Sequence, residues 1–462
     1  AEMELASGRV RLVQVRDDSQ LIGGPKAEGQ RGDFLMYNDR VGFVIAGARP
    51  ASGFCPFGGV VEDAGLLRKE GGRSVWYNVM GDTYFAFYKG NDPLLGSRLF
   101  APIKAEVIKD GSDGEAVLRF YGRDAEYEIR KAMFMIPSPP LKAKIMVEYI
   151  LRSDSPGLEI RTTIVNDRNS PQTVGVAELF LMGDGADFFA PRAGFDMDRL
   201  DKNSFPWVAA PEGRVSYAWF MEDEQFKVHS RVGRLVISKI GTIHAPANGH
   251  GSASIHLVVG EGDVASAVET MHEYRGNNET GVLKGKCSVP GGRPADGVMV
   301  NVFSQSGEYL NRAVTGPGGE YRIAMPPGGY LLQPGAYDRE DVEPVTAEII
   351  KGMEKTKNLE AGGRGVFEFD IADDTGRSIP ATVSFKALSV RTIKVDDRRF
   401  FINPYGRFYK NFFSNDGHGK VTLRPGRYEV YFSRGFEYEY VKKNIEISAG
   451  SRAYESVTLD HV

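Results

Sequence analysis

The side chains whose types and spacing could do chemistry fall into three groups. The first is acidic: Asp184 and Asp187 in Gly183-Asp-Gly-Ala-Asp187, then Asp196, Asp198 and Asp201 in Asp196-Met-Asp-Arg-Leu-Asp201. Carboxylates this close on a loop can wrap Ca²⁺, which takes roughly six to eight oxygen ligands. The run lacks the glycine and closing glutamate of an EF-hand, so an ion held here would be structural; solvated turn carboxylates are the plain alternative. The second group is the histidines: His229, His244, His250, His256, His272, His418 and His461. None forms His-x-His or His-Glu-x-x-His, the local spacings that seat a catalytic metal. A Ser-His-Asp triad assembles in space, so spacing alone does not exclude one. The chain nevertheless has no Gly-x-Ser-x-Gly elbow and no strand-helix alternation to carry it.

The third group is the most distinctive. Arg398, Arg399, Phe400, Phe401, Tyr405, Arg407, Phe408, Tyr409, Lys410, Phe412 and Phe413 fall within one short stretch. Aromatic faces interleaved with cations stack sugars or bases, and the same residue types anchor protein interfaces. Burial against the chain's own domains is the third option. No cofactor is implied beyond the structural calcium.

The elements that must position these groups are strands. The chain has 462 residues, enough for several domains, with 42% hydrophobic and 26% charged residues, a composition that excludes a disordered or fibrous chain. A net charge of -4 gives no global field for nucleic acid or anionic membrane. No apolar run is long enough to span a membrane. The start at Ala-Glu-Met suggests a removed leader or tag, hence an exported protein. Cys55 and Cys287 are the only cysteines, which rules out a disulfide framework. With 55 glycines and 24 prolines, the chain reads as short strands joined by turns. Residues 8–15, 40–45, 142–151 and 158–165 alternate as half-buried strands, and residues 34–45 form a hairpin bending at Asn38-Asp39. One helix is expected over 264–275, with Asp263 as N-cap and Gly276 beyond its end.

After Gly276 the sequence repeats. Gly318-Gly-Glu-Tyr leads to Pro327-Gly-Gly-Tyr330, and Asp416-Gly-His-Gly leads to Pro425-Gly-Arg-Tyr428. The interval from Gly319 to Pro327 equals that from Gly417 to Pro425. The entries Pro294-Ala and Pro380-Ala align the two copies, and the extra length of the second falls within 388–413.

These motifs carry a family resemblance. Gly292-Arg-Pro-Ala-Asp-Gly-Val-Met-Val with Gly319-Glu-Tyr-Arg and Pro326-Pro-Gly-Gly-Tyr330 resembles the carboxypeptidase-regulatory-like or collagen-adhesin B-type β-sandwich. Leu423-Arg-Pro-Gly-Arg-Tyr-Glu-Val-Tyr-Phe-Ser-Arg-Gly435, followed by Ile445-Glu-Ile-Ser-Ala-Gly450, is similar to the segment that precedes the catalytic domain in bacterial PHP-type metallohydrolases of the carbaryl-hydrolase-like group. Gly32-Asp-Phe-Leu-Met-Tyr-Asn-Asp-Arg-Val-Gly-Phe-Val-Ile45 and Pro56-Phe-Gly-Gly-Val-Val-Glu-Asp-Ala64 look like the large β region that precedes such repeats. The family's His-x-His ligand segment has no counterpart, so no catalytic residue carries over.

The expectation is therefore an all-β chain: a large N-terminal β-sandwich over 1–278, a small immunoglobulin-like sandwich over 279–360 and a related one over 361–462. Its expected role is that of an exported, non-enzymatic scaffold docking a protein partner or a PHP-type domain. One alternative is a self-assembling filament or surface-layer subunit that pairs edge strands or donates the stretch Met3–Val15. The other is a carbohydrate-binding or carbohydrate-active sandwich, which requires paired carboxylates at a cleft.

Overall fold

The computed structural model describes residues 5–51, 55–70, 73–89, 96–128, 131–132, 135, 137–182, 188–195, 203–222, 225–232, 235–276, 279–389 and 410–462. The chain is all-β and divides into two compact units, Ala1–Asn278 and Glu279–Val462.

In the first unit the alternating segments pair into one continuous 17-stranded hydrogen-bonded network. The hairpin pairs Phe34–Asn38 with Val41–Ile45, Phe34 opposite Ile45. The Asn38 Oδ1 accepts the N–H groups of Arg40 and Val41 at 2.9 Å, so the side chain substitutes for turn backbone. These strands are buried on both faces rather than one. Phe34, Met36 and Phe43 enter the main core, while Leu35, Tyr37 and Val44 pack with Trp76 in a second cluster behind it. Across the main core Phe34 meets Phe120 edge-on at 6.3 Å, and Phe120 meets Tyr149 at 5.9 Å. The Tyr149 hydroxyl donates to the Gly59 carbonyl at 2.7 Å, satisfying the one polar atom that this ring buries.

The segment expected to be available for donation is instead integral: Val10–Gln14 pairs antiparallel with Phe34–Asn38 and buries Val10 and Leu12. The helix runs Val264–Tyr274, capped where the Asp263 carboxylate accepts the Ser266 N–H at 2.7 Å. Val264, Ala267, Val268 and Met271 form its buried stripe. It lies against Gly249–Gly260 so closely that a Cβ on Gly260 would sit 2.5 Å from the Ala267 nitrogen.

In the second unit four sheets repeat one arrangement twice. Gly281–Ser288 is flanked by Glu320–Met325 antiparallel and Glu354–Thr356 parallel; Gly365–Asp373 is flanked by His418–Leu423 antiparallel and Arg452–Leu459 parallel. The companion sheets run Tyr309–Val314, Met299–Ser304, Gly328–Gly335, Val345–Ile349 and Lys410–Ser414, Ala381–Ser389, Gly426–Ser433, Val441–Ile447. In the second copy Phe367, Phe369, Phe385, Tyr428 and Phe432 fill the core between the sheets.

The repeated residues do the same work in each copy. Gly319 and Gly417 both take positive φ, +79° and +87°, and a Cβ on either would lie 2.4 Å from a carbonyl oxygen, Cys287 or Ile371. Each glycine's own carbonyl accepts the N–H of that same residue at 2.8 Å. The repeated tyrosines, Tyr330 and Tyr428, each donate to the carbonyl four residues back, at 2.8 and 2.7 Å.

The structural equivalence also shifts the sequence alignment. Pro294 bridges Ser288 as Ser378 bridges Ala372, so Pro294 corresponds to Ser378 and not to Pro380. The shared Pro-Ala dipeptides are coincidental in position. The added length of the second copy lies in one hairpin: residues 305–308 join the two strands in the first copy, and residues 390–409 join their counterparts in the second.

Candidate functional site

Of the aromatic and basic candidates, Arg398, Arg399, Phe400, Phe401, Tyr405, Arg407, Phe408 and Tyr409 lie outside the described residues. So do the candidate calcium ligands Asp184, Asp187, Asp196, Asp198 and Asp201. Phe412 and Phe413 belong to Lys410–Ser414, and the pleat sends them to opposite faces. Phe412 turns inward and meets Phe369 edge-on at 5.7 Å, while Phe413 turns outward and is 71% exposed.

The outward face around Phe413 mixes aromatic and polar side chains, with the Tyr431 hydroxyl donating to Glu429. Phe413 and Ser433 both stand opposite Thr382, on the same face. Two residues before Ser433 lies Tyr431, whose ring contacts Tyr440 at 5.9 Å. Phe436 is fully exposed in the turn between Gly426–Ser433 and Val441–Ile447. The two outer strands of this sheet differ in chemistry. Val441–Ile447 carries Lys442 and Lys443, charges of the kind that blunt an edge against further pairing. Lys410–Ser414 has adjacent phenylalanines and, among the described residues, pairs only with Ala381–Ser389.

A second constellation resembles catalytic machinery. The His418 Nδ1 lies 2.5 Å from the Asp370 Oδ1, and the Ser378 Oγ lies 3.5 Å from the His418 Nε2. The Tyr454 hydroxyl donates to the other Asp370 oxygen at 2.6 Å. The imidazole raises its pKa by bonding Asp370, and that bond, followed by the one from Tyr454, lowers the Asp370 carboxyl. Its context is structural. Asp370 and His418 are register partners on a solvent-facing sheet, and Lys286 with Glu320 occupies the same rung in the first copy. The next rung holds Glu368 between Lys420 and Arg452, and its counterpart holds Glu354 between Lys284 and Arg322. The Ser378, His418 and Asp370 array is thus one step in a cross-strand ladder of opposite charges. Alternating polar residues in these strands are the sequence signal for it.

The paired carboxylates required for sugar cleavage are in the first unit, but inside it. Asp33, Glu62 and Asp63 are essentially inaccessible. Asp33 accepts from the Gly47 N–H, the Gln30 N–H and the Arg49 guanidinium, and Asp63 accepts from the Glu28 and Gly29 N–H groups and from Asn78. Burial, reinforced by the neighbouring Asp33 charge, pushes the Glu62 carboxyl up to about 9; burial lifts Asp63 to about 7. This is a self-satisfied cluster, not two acids facing a cleft across a glycosidic bond. Among the described residues, no group of three or more His, Cys, Asp or Glu is placed to hold a metal ion. Cys55 and Cys287 are buried thiols that are not joined in a disulfide. Among the described residues, no helix is long and apolar enough to cross a membrane.

No family model matches the chain, and no curated protein matches it. Similar solved structures include the shaft pilin SpaA from Lactobacillus rhamnosus GG, at 10% identity over 40% of this chain and 98% of the pilin, with a TM-score of 0.27. A streptococcal ancillary pilin aligns at 14% identity over 54% of this chain and 81% of its own, with a TM-score of 0.23. The Bacillus anthracis TIE protein aligns at 10% identity over 82% of this chain and 58% of its own, at 0.19. Scores this low carry no argument about shared function. The class is defined by the chain's own sheets: an all-β protein with paired β-sandwich repeats in its second unit.

Proposed function

We propose that this chain is an exported, non-catalytic β-sandwich subunit that works by protein contact, and that a second copy of the chain docks on the Phe413 edge and face of the last sandwich. The observation that carries the reading is Phe413, 71% exposed on an edge strand without a central charged guard, in a sandwich that also exposes Phe436 and Tyr440. An edge of this kind presents unpaired backbone donors and acceptors together with an apolar side chain, the combination used in strand addition. Head-to-tail use of such an edge builds open assemblies, because the contacting surfaces differ. Residues 398–409 continue directly from this strand, and their aromatic and basic side chains belong to the same proposal. The alternative occupant is a PHP-type hydrolase domain, which is what the resemblance of residues 423–450 implies.

A photo-crosslinking residue in place of Phe413 tests the occupant. Irradiation of the purified full chain is expected to give covalent dimers and higher species whose yield rises with concentration. Monomers alone at high concentration would contradict self-docking and leave a different protein as the occupant.

A further inference from the structure

Inside the second unit, where the two sandwiches join, a cleft of about 490 Å³ is lined by side chains of unlike character. Val289, Pro290, Pro294 and Ala449 supply apolar walls, and Arg293, Arg339 and Arg364 supply three guanidinium groups. The junction that shapes it is rigidly bonded. Arg424 is only 6% exposed and donates to the Arg339 carbonyl and to the Asp341 carboxylate. Glu340 and Gly363 exchange bonds, the Glu340 N–H to the Gly363 carbonyl at 2.9 Å and the Gly363 N–H to the Glu340 carboxylate at 3.2 Å.

The three arginines are unequally compensated. Arg364 pairs with Asp338 at 2.9 Å. Arg339 is only 8% exposed, donates one N–H to the Gly362 carbonyl at 3.0 Å, and has no carboxylate at ion-pair distance among the described residues. Arg293 likewise has no ion-pair partner among the described residues, and it is exposed. A guanidinium carries five donors in a planar fork, so one carbonyl leaves most of the Arg339 fork unspent. Burial, opposed by Asp338 and aided by the like charges of Arg364 and Arg293, holds this guanidinium below its ordinary pKa. Sequestering a cation beside two others is costly unless an anion joins them.

We infer that this cleft is a binding site for a single carboxylate attached to an apolar body, held by Arg339 and Arg293. The charge count selects the class. Three guanidinium groups against Asp338 and Glu340 leave one net positive charge, matching a monoanion better than a phosphate dianion. The planar fork favours two parallel N–H···O bonds to a carboxylate, and the proline and valine walls suit a hydrocarbon substituent. The site is separate from the Phe413 face, and its test does not depend on self-assembly.

Ligand-observed NMR on the intact chain, with N-acetyl-leucine, N-acetyl-leucinamide and inorganic phosphate as probes, tests this directly. N-acetyl-leucine is expected to show saturation transfer, the amide none, and phosphate to compete at least tenfold more weakly. Arg293→Ala, which removes an exposed side chain outside any ion pair, is expected to weaken N-acetyl-leucine binding at least tenfold with the melting temperature unchanged. Arg339→Gln should weaken it further, and a lowered melting temperature in that variant leaves Arg293→Ala as the deciding test. Equal binding of acid and amide, unchanged binding by Arg293→Ala, or phosphate binding as tightly as the acid would each overturn the inference.

Discussion

At Glu178 the large unit bears a cost that its own contacts do not offset. Both carboxyl oxygens are buried without a hydrogen-bond partner among the described residues, as is the Ser238 hydroxyl on the residue directly opposite. Burial raises the Glu178 carboxyl well above the usual carboxylate range, the direction that favours its neutral form. Glu178→Leu is expected to raise the unfolding free energy by about 1–2 kcal/mol, measured by urea denaturation; a loss of similar size would reveal a polar partner. Two other residues contribute responses to pH of opposite sign. Burial pushes His256 down to about 4, so between pH 6.5 and 4 the unfolded chain takes up a proton that the folded chain refuses. Stability therefore falls by up to about 3 kcal/mol as pH drops through that window, and His256→Gln should flatten this limb. Glu62 has the opposite sign. With its pKa raised from 4.5 to about 9, the folded state holds a proton that the unfolded state loses, so stability declines as pH rises from 4.5 to 9. Glu62→Gln should remove the Glu62 share of that decline, leaving the smaller one that Asp63 contributes with the same sign, while its amide oxygen still accepts from the Arg49 guanidinium, which lies 3.1–3.2 Å from the Glu62 oxygens. None of the three was legible in the sequence, because burial of a polar residue depends on strands far apart in the chain.

The repeated turn is the element whose physics is clearest. Gly417→Ala adds a Cβ 2.4 Å from the Ile371 carbonyl at a positive φ, and a loss of about 2 kcal/mol or more is expected from strain and clash together. Gly376 also has positive φ, +84°, but open space around it, so Gly376→Ala should cost only about 1 kcal/mol. Equal effects in urea denaturation would mean that close approach does not matter. The glycine-to-proline interval made this turn readable from sequence, since both residue types are dictated by local backbone. The hairpin at Asn38 and the helix start at Asp263 were readable for the same reason. The alignment of Pro294 with Pro380 misled because strand register is fixed by partners, and the structure equates Pro294 with Ser378. Donation of Met3–Val15 misled similarly: an apolar alternating segment is a strand, but sequence does not say whose sheet it joins. The charge ladder through Asp370 and His418 was visible only as scattered polar residues until pairing placed them side by side.

For the molecule as a whole, the first unit is one 17-stranded network around a main core, and the second supplies repeated sandwiches whose last member exposes Phe413 on an edge strand. The all-β class followed from period-two alternation, while the candidate surface emerged only in part, because the pleat assigned Phe412 to the core and Phe413 to solvent. The central claim is that this outward surface makes a protein contact with another copy. Sedimentation velocity of the full chain over a wide concentration range, with native sequence and with Phe413→Ser combined with Phe436→Ser, tests it most directly. The account predicts reversible assembly of the native chain, weakened at least tenfold in the double variant with the fold unchanged. A native chain that stays strictly monomeric, or one whose assembly is indifferent to both substitutions, would contradict it.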